Sequence, residues 1–184
     1  MRVIAGKFRS IPLITPSGDN TRPTQDRIKE TLFNMIQSDL PGCVFFDLFS
    51  GSGGIGIEAL SRGARRSYLV ERDSEALKCI RENVKKCRCE SDCEIAVGEV
   101  LSFLASYRGP KPDIIFMDPP YLKDWERKVL TALKEHSLLK EDTLIIVEAD
   151  LNTSFDYVEE AGYRILKIKK YKTNEHVFLT PFME

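Results

Sequence analysis

The stretch "FMDPPY" ends in four residues, Asp118, Pro119, Pro120 and Tyr121, whose groups suit chemistry on an aromatic amine. Such an amino nitrogen is a weak nucleophile, because its lone pair is delocalised into the base. The Asp118 carboxylate and a backbone carbonyl near Pro119 could accept its N–H bonds and aim the lone pair at a methyl donor. The prolines stiffen this turn, and the Tyr121 ring offers a stacking surface. Alternatively, Asp-Pro-Pro only ends a strand, since proline cannot continue strand pairing.

A second stretch, "DLFSGSGGIGIEAL", contains Gly51, Gly53 and Gly56 in the spacing G-x-G-x-x-G. Glycines let the backbone approach a ligand closely, and a helix N-terminus presents free N–H groups to it. Glu71 follows Gly51 by 20 residues, where a carboxylate can accept the hydroxyls of a ribose. The pattern indicates an adenosine-type nucleotide, although a tight turn without a ligand would use the same glycines.

Asp47, at the start of that stretch, discriminates between nucleotide classes by its charge. A dinucleotide would bring a negative pyrophosphate, which a carboxylate repels, whereas S-adenosylmethionine (SAM) brings a sulfonium and an ammonium, which it attracts. The charge therefore favours SAM over NAD, unless Asp47 only caps the loop by binding its backbone. Asp73, ahead of "SEALKCI", is predicted to be a helix N-cap.

These residues require a parallel sheet to bring them together. Apolar runs predict strands at 44–48, 67–71, 93–97, 113–118 and 143–149. Helical patterns lie between or after them, near 54–62, 74–87, 99–107, 124–136 and 154–161. This alternation predicts a doubly wound α/β sheet that binds ligands beyond the carboxyl ends of its strands. The last two runs, "YRILKIKKY" and "EHVFLTPF", are joined too closely for a parallel crossover, so we expect an antiparallel hairpin at the end.

The N-terminal region does not follow this alternation of strands and helices. Residues 1–20 predict a small β-hairpin extension around Gly6 and Lys7, and residues 21–184 the main domain. A helix is predicted from about 25 to 37, with Thr24 as its N-cap. Basic residues predominate in positions 1–30, which indicates either phosphate contact or an ordinary solvated surface.

Composition limits the classes of function. The 184 residues suffice for one domain, and no apolar run approaches the roughly 20 residues of a membrane span. Since a signal-peptide core is also lacking, we expect a cytoplasmic protein without membrane contact. The net charge of −1 does not by itself indicate nucleic-acid binding. The five cysteines lack the spacings of zinc or iron–sulfur sites, so we expect no metal.

In order, "DLFSGSGGIGIEALSRGA", "VERD", "GEVLSFL" and "FMDPPY" resemble the Rossmann-like amino-methyltransferases of the D/N-PPY type. With "RVIAGKFRS" and "RPTQDRIKETLFNMI" ahead of them, the chain closely resembles the bacterial 16S rRNA guanine-N(2) methyltransferases that act on the guanine at position 966. The resemblance spans nearly the whole chain. It implies a class I SAM methyltransferase fold, SAM as cofactor, and 16S rRNA in a small-subunit assembly intermediate as the partner of a monomer.

The resemblance also implies roles for single residues. The cofactor would be bound by Asp47, Ser50, Gly51, Gly53, Glu71, Glu99, Val100, Thr24 and Asn34. Glu99 stands where relatives often carry Asp or Asn, and a carboxylate can still accept the bond from the adenine amino group. The N-terminal motif, with Thr24, Arg27, Glu30 and Asn34, would lie near the methionine end and the target base. The rRNA would be contacted by Arg2, Lys7, Arg9, Arg22 and Arg27, for which ordinary surface charge remains the alternative.

Two other functions remain open from the sequence. One is an amino-methyltransferase of another RNA or of DNA adenine, although the chain has no room for the separate target-recognition domain that DNA enzymes usually need. The other is a non-catalytic nucleotide-binding module. The complete Asp118-to-Tyr121 stretch argues against the module, because simple binding does not require that geometry.

Overall fold

The computed structural model describes residues 1–16, 23–120 and 124–182. Its strands are β1 (Val44–Leu48), β2 (Arg66–Glu71), β3 (Cys93–Val97), β4 (Ile114–Met117), β5 (Leu144–Asp150), β6 (Tyr163–Lys170) and β7 (Asn174–Pro181). Its α-helices are α1 (Pro23–Met35), α2 (Gly54–Ser61), α3 (Ser74–Cys87), α4 (Val100–Ser106) and α5 (Trp125–Glu135). As far as the chain is described, no helix is long and apolar enough to cross a membrane.

The described strands form one sheet in the order β3-β2-β1-β4-β5-β7-β6. Strands β1 to β5 pair with one another in parallel, as the alternating pattern predicts. The order reverses at β1, where β2 lies on one side and β4 on the other. The predicted α/β architecture is confirmed, and the carboxyl ends of β1, β2 and β4 meet at this switch point.

The central strands are mainly apolar because the sheet is covered on both faces. All five residues of β1 are buried. Phe46 and Met117 pack into one core with α4 and α5, whereas Phe45 and Phe116 pack into the other with α1, α2 and α3. Burying one such side chain contributes about 1.5–3 kcal/mol. The two cores fix which residues at the strand ends face which group of helices.

The end of the sheet is antiparallel, as predicted. Strand β7 pairs antiparallel with both β5 and β6. Tyr171, in the turn between β6 and β7, donates its backbone N–H to the Asn174 carbonyl at 2.8 Å. Because β7 is inserted between β5 and β6, His176 lies directly opposite Glu148.

The N-terminal segment folds back on itself and against α2. Arg2 and Pro12 form an antiparallel bridge. The backbone N–H groups of Ile4 and Ala5 donate to the two carboxylate oxygens of Glu58 at 2.8 and 3.1 Å. The described part of the extension is therefore anchored to the main body by hydrogen bonds.

The helix predicted at 154–161 is wrong. Those residues form successive turns, in which the N–H of Val158 donates to the Phe155 carbonyl at 3.1 Å. Phe155 and Val158 are buried and attach the segment to the core. Aromatic, β-branched and aspartate residues have low helix propensity, and eight residues are too few to overcome it.

The start of α1 also differs from the prediction. The helix begins at Pro23, so Thr24 lies inside the first turn and is not the N-cap. Proline is favoured at the first helical position because its missing N–H would have no intrahelical partner there. The Thr24 side chain lies outside the described part of the structure.

Candidate active site

The glycine loop connects β1 to α2, and its glycines serve different purposes. Gly51 and Gly53 have φ values of +55° and +78°, which favour glycine. Gly51 borders the two cavities described below, whereas Gly53 is buried, and a Cβ on it would lie 2.6 Å from the Leu69 side chain. A Cβ on Gly56 would lie 2.7 Å from Ser67 Oγ. Gly56 therefore permits close packing of α2 on β2, whereas Gly51 borders both cavities; cofactor binding by Gly51 and Gly53 stays a prediction.

Asp47 is bound within this loop. Its Oδ2 accepts the Gly56 N–H at 2.8 Å, and its side chain is buried. Burial raises the pKa of Asp47 well above its usual range, and the neighbouring Glu71 and Asp118 carboxylates add to this rise. Asp47 therefore caps the loop, but it also borders the smaller of the two cavities described below, and its attraction of a cationic methyl donor stays a prediction.

Ser50 stabilises the same loop through hydrogen bonds. Its hydroxyl donates to the Asp47 carbonyl at 2.6 Å and is 3.2 Å from the Val70 carbonyl. These contacts link the ends of β1 and β2 where the loop begins. Ser50 also borders one cavity, but its described hydrogen bonds serve the loop.

Phe49 was missed by the sequence interpretation. It has φ +63°, a conformation that is unusual and costly for a residue with a side chain. Its ring lies 5.6 Å from that of Trp125, and it borders both cavities. The sequence feature that could have indicated it is an aromatic residue placed between the apolar strand and the glycines.

Glu71 joins the glycine loop to the turn after β2. Its Oε2 accepts the Gly51 N–H at 2.8 Å, and its Oε1 accepts the backbone N–H groups of Arg72 and Asp73 at 2.8 and 2.9 Å. A carboxylate can accept about four hydrogen bonds. Capacity for one further donor remains, which suits one ribose hydroxyl. Asp73 accepts from the N–H groups of Glu75 and Ala76, which confirms it as the N-cap of α3.

Glu71 borders a cavity of about 450 Å³, here called the outer cavity. It is enclosed by the glycine loop, the β2–α3 turn, the start of α4, residues 118–120 and Trp125. Glu99 borders it and pairs with Arg72 at 2.7 Å, while Val100 supplies a buried apolar wall. This size and mixed lining suit a nucleoside-sized ligand.

A smaller cavity of about 220 Å³, the inner cavity, lies beneath α1. It shares Phe49, Gly51 and Asp118 with the outer cavity. Its other walls include Lys29 of α1, Met1, and two residues that the sequence interpretation missed, Glu148 and His176. In the sequence, they are recognisable as a glutamate and a histidine within the otherwise apolar runs of β5 and β7.

Asp118 stands where the two cavities meet, directly after β4. It is solvent-exposed there, and Pro119 and Pro120 border the outer cavity. The surrounding protein and the Glu148 carboxylate raise the pKa of Asp118 to about 8. Tyr121 lies outside the described residues.

Asn34, which is predicted to bind the cofactor, does not border either cavity. It is exposed, and its Oδ1 accepts from Arg62 Nη1 at 3.2 Å. Leu32 borders the inner cavity, and two positions further along a helix of 3.6 residues per turn the side chain points about 200° away. The rotation of α1 therefore directs Asn34 away from the inner cavity, and its role in cofactor binding stays a prediction.

Three residues predicted to contact rRNA do converge. Arg2, Arg9 and Arg27 border a cleft of about 360 Å³ between the N-terminal segment and α1, here called the basic cleft. Asp26 and Glu30 border it as well. Lys7 is exposed outside this cleft, and Arg22 lies outside the described residues.

The cysteines do not form a site. All five thiols are buried and free. Burial raises the pKa of each thiol, which makes these thiols unreactive. In the described ranges, no group of three or more His, Cys, Asp or Glu residues could hold a metal ion.

Comparison with known proteins gives consistent matches. The family model described as "Conserved hypothetical protein 95" matches residues 1–180. "Putative rRNA methyltransferase YlbH" of Bacillus subtilis (strain 168) is 38% identical over 157 residues, which cover 82% of this chain and 83% of that protein. "Ribosomal RNA small subunit methyltransferase D" of Escherichia coli (strain K12) is 31% identical over 158 residues, covering 86% and 79%. The solved structure "Putative methyltransferase yhhF" from Escherichia coli has a TM-score of 0.85 at 26% identity, covering 100% of this chain and 99% of that one.

Proposed function

This chain belongs to the family "Conserved hypothetical protein 95", and from that premise we propose that it is a SAM-dependent rRNA methyltransferase. Its proposed target is the exocyclic N(2) amine of a guanine in 16S rRNA, at position 966. The observation that carries the proposal is the position of Asp118 between the outer and inner cavities. One cavity can hold the methyl donor, and the other can hold the base that receives the methyl group.

The outer cavity fits the adenosine part of SAM. Glu71 retains one acceptor position for a ribose hydroxyl. Glu99 can accept from the adenine amino group through the oxygen that is not bound to Arg72, and Val100 can cover the ring. When bound, SAM supplies a methyl group made electrophilic by its sulfonium.

Asp118 would orient the amine. Its carboxylate can accept one N–H of the target, and the backbone carbonyl of Pro119 the other, so that the nitrogen lone pair is directed towards the methyl group. The nitrogen–carbon bond forms as the sulfur–carbon bond breaks. The methylated nitrogen then loses a proton to Asp118 or to water. Phe49 lies beside both cavities, where its ring can help to exclude water.

The basic cleft would bind the RNA backbone. Three guanidinium groups against two carboxylates give it a local positive charge, although the chain as a whole carries −1. Lys7 and Arg22 would extend this contact. Relatives named as rRNA methyltransferases support an rRNA partner. We further propose that the partner is a small-subunit assembly intermediate, that the enzyme acts as a monomer without a metal, and that it does so in the cytoplasm.

The proposal is tested with labelled SAM and three substrates: assembling small subunits, naked 16S rRNA and duplex DNA. We expect label in rRNA, mapped to N(2) of one guanine. Label only in DNA, or in none of the three, would refute the proposed function. Calorimetry with SAM and NAD tests the cofactor separately, and we expect binding of SAM alone.

The role of Asp118 has its own test. Asp118→Ala removes the acceptor for the amine, so methyl transfer should fall by at least about 100-fold, while calorimetry should show SAM affinity within about threefold of wild type. Asp142→Ala, an exposed aspartate ahead of β5, is the matched control and should retain activity. Unchanged turnover in Asp118→Ala would show that Asp118 does not orient the amine.

A further inference from the structure

A pair formed by Glu148 and His176 lies beside Asp118 and is not used in the mechanism above. Met117, the last residue of β4, is in register with Val147 of β5, and Asp118 and Glu148 are the residues that directly follow this pair. Parallel neighbours lie about 4.8 Å apart, and side chains at equal register point to the same face. Both residues border the inner cavity. Two carboxylates are therefore presented together to whatever enters that cavity.

The orientation of the Glu148 carboxylate is fixed by donors from β7. Asn174 Nδ2 donates to Oε1 at 2.6 Å, and His176 Nε2 lies 3.1 Å from Oε2. An ionised carboxylate only accepts hydrogen bonds, so Nε2 of His176 must carry the proton. The hydroxyl of Tyr171 lies 3.3 Å from the other ring nitrogen.

Glu148 keeps acceptor capacity after these contacts. Each carboxylate oxygen offers two lone pairs, and the described hydrogen bonds occupy one on each. The His176 side chain is 1% exposed, whereas that of Glu148 is 21% exposed. His176 is thus a buried hydrogen-bond partner of Glu148, and the Glu148 carboxylate remains accessible from the cavity.

We propose that Glu148 accepts the N1–H of the target guanine and thereby selects guanine over other bases that carry an amino group. This inference rests on the proposed function and names the specificity residue of the same site. Guanine presents N1–H and the N(2) amine as adjacent donors, and Asp118 and Glu148 present adjacent acceptors. Adenine instead places an unprotonated ring nitrogen beside its amine, and that lone pair would face the Glu148 carboxylate.

The discrimination follows from the cost of unpaired polar groups. A site built to accept a hydrogen bond strongly rejects an analogue that lacks the donor, because its polar group is then covered without a partner. Asn174 and His176 act as positioning residues, since they touch Glu148 and not the base. If the pair only joined β5 to β7, changing Glu148 would alter stability but not the preference between bases.

The test uses 2-aminopurine, which has the amine of guanine but an unprotonated N1. A synthetic segment ligated into 16S rRNA places guanine or 2-aminopurine at the methylated position, and the rRNA is assembled into the particle that serves as substrate. The measured quantity is kcat/KM for each base, with wild type, Glu148→Gln and Glu141→Gln. Glu141 is an exposed glutamate ahead of β5 and is the matched control.

We expect wild type to prefer guanine by about 100-fold or more. In Glu148→Gln, His176 can adopt its other tautomer and accept from the new amide, which leaves an amide N–H to donate to N1 of 2-aminopurine. This variant should lose about 10- to 100-fold on guanine, and its preference should fall at least about tenfold. Glu141→Gln should keep the wild-type preference, and calorimetry should show equal SAM affinity in all three proteins.

The outcomes separate this inference from the proposed function. If wild type forms N(2)-methylguanine but treats both bases alike, or if folded Glu148→Gln keeps the wild-type preference, the inference is overturned and the proposed function stands. If wild type forms no N(2)-methylguanine, both are overturned. Should Glu148→Gln fail to fold, the comparison of the two bases with wild type decides alone.

Discussion

The raised pKa of Asp118 has two opposite effects on its ability to accept a proton. A raised pKa makes a carboxylate a better proton acceptor once it is ionised, but it also delays ionisation to higher pH. The surrounding protein and the adjacent Glu148 carboxylate both disfavour its charged form. Its neighbours therefore tune the pH at which Asp118 can hold the target amine.

Methyl transfer should accordingly increase with pH as Asp118 becomes ionised, with a midpoint above the usual range of an aspartate. Glu148→Gln removes a like charge, lowers the pKa of Asp118 and should move this rise to lower pH. The measurement is kcat/KM from about pH 5 to about pH 9 for both proteins, with Glu141→Gln as the control. A midpoint that is the same in wild type and Glu148→Gln would show that Glu148 does not control the ionisation of Asp118.

At the scale of elements, one buried carboxylate joins three parts of the fold. Glu58 of α2 is fully buried. It accepts backbone N–H groups from the N-terminal segment, lies 3.3 Å from Lys29 Nζ of α1, and accepts from Arg62 Nε at 2.8 Å. Lys29 also donates to the Arg2 carbonyl at 2.6 Å. These contacts fix α1 above the inner cavity and beside the basic cleft.

Glu58→Gln should therefore lower the free energy of unfolding by about 3 kcal/mol, because it removes the carboxylate that pairs with the buried Lys29 ammonium. Urea denaturation measures this change. Glu94→Gln is the control, since Glu94 pairs with Arg66 at 2.9 Å on the surface, where both side chains are at least 41% exposed. It should cost less than about 1 kcal/mol. Equal losses in the two variants would refute the structural role of Glu58.

The sequence predicts the strands well because burial on both faces leaves continuous apolar runs. The positions of Asp47, Glu71 and Asp118 around one crevice follow, since carboxyl ends of parallel strands meet at one edge. Glu148 and His176 escape prediction because they meet through the antiparallel register of β5 and β7, which linear spacing does not specify. The orientation of Asn34 is not predictable for a similar reason, since the rotation of α1 about its axis depends on tertiary packing.

At the scale of the whole molecule, the charge distribution matters more than the total. A net charge of −1 provides no general attraction to RNA. Arg2 and Arg9 come from the N-terminal segment and Arg27 from α1, and the contacts of Glu58 and Lys29 hold those two elements together. Folding thus creates a local basic surface that the net charge does not reveal.

This surface predicts a specific salt dependence of rRNA binding. If Arg9 and Arg27 each neutralise a phosphate, Arg9→Ala and Arg27→Ala should each weaken binding and reduce the slope of log affinity against log salt by about 0.7 to 1. Arg108→Ala is the control, because Arg108 follows α4, which packs on the opposite face of the sheet. Filter binding of 16S rRNA over a range of salt concentrations measures the slope. If Arg9→Ala and Arg27→Ala keep the wild-type slope, or if Arg108→Ala reduces it equally, the basic cleft is not the phosphate-binding surface.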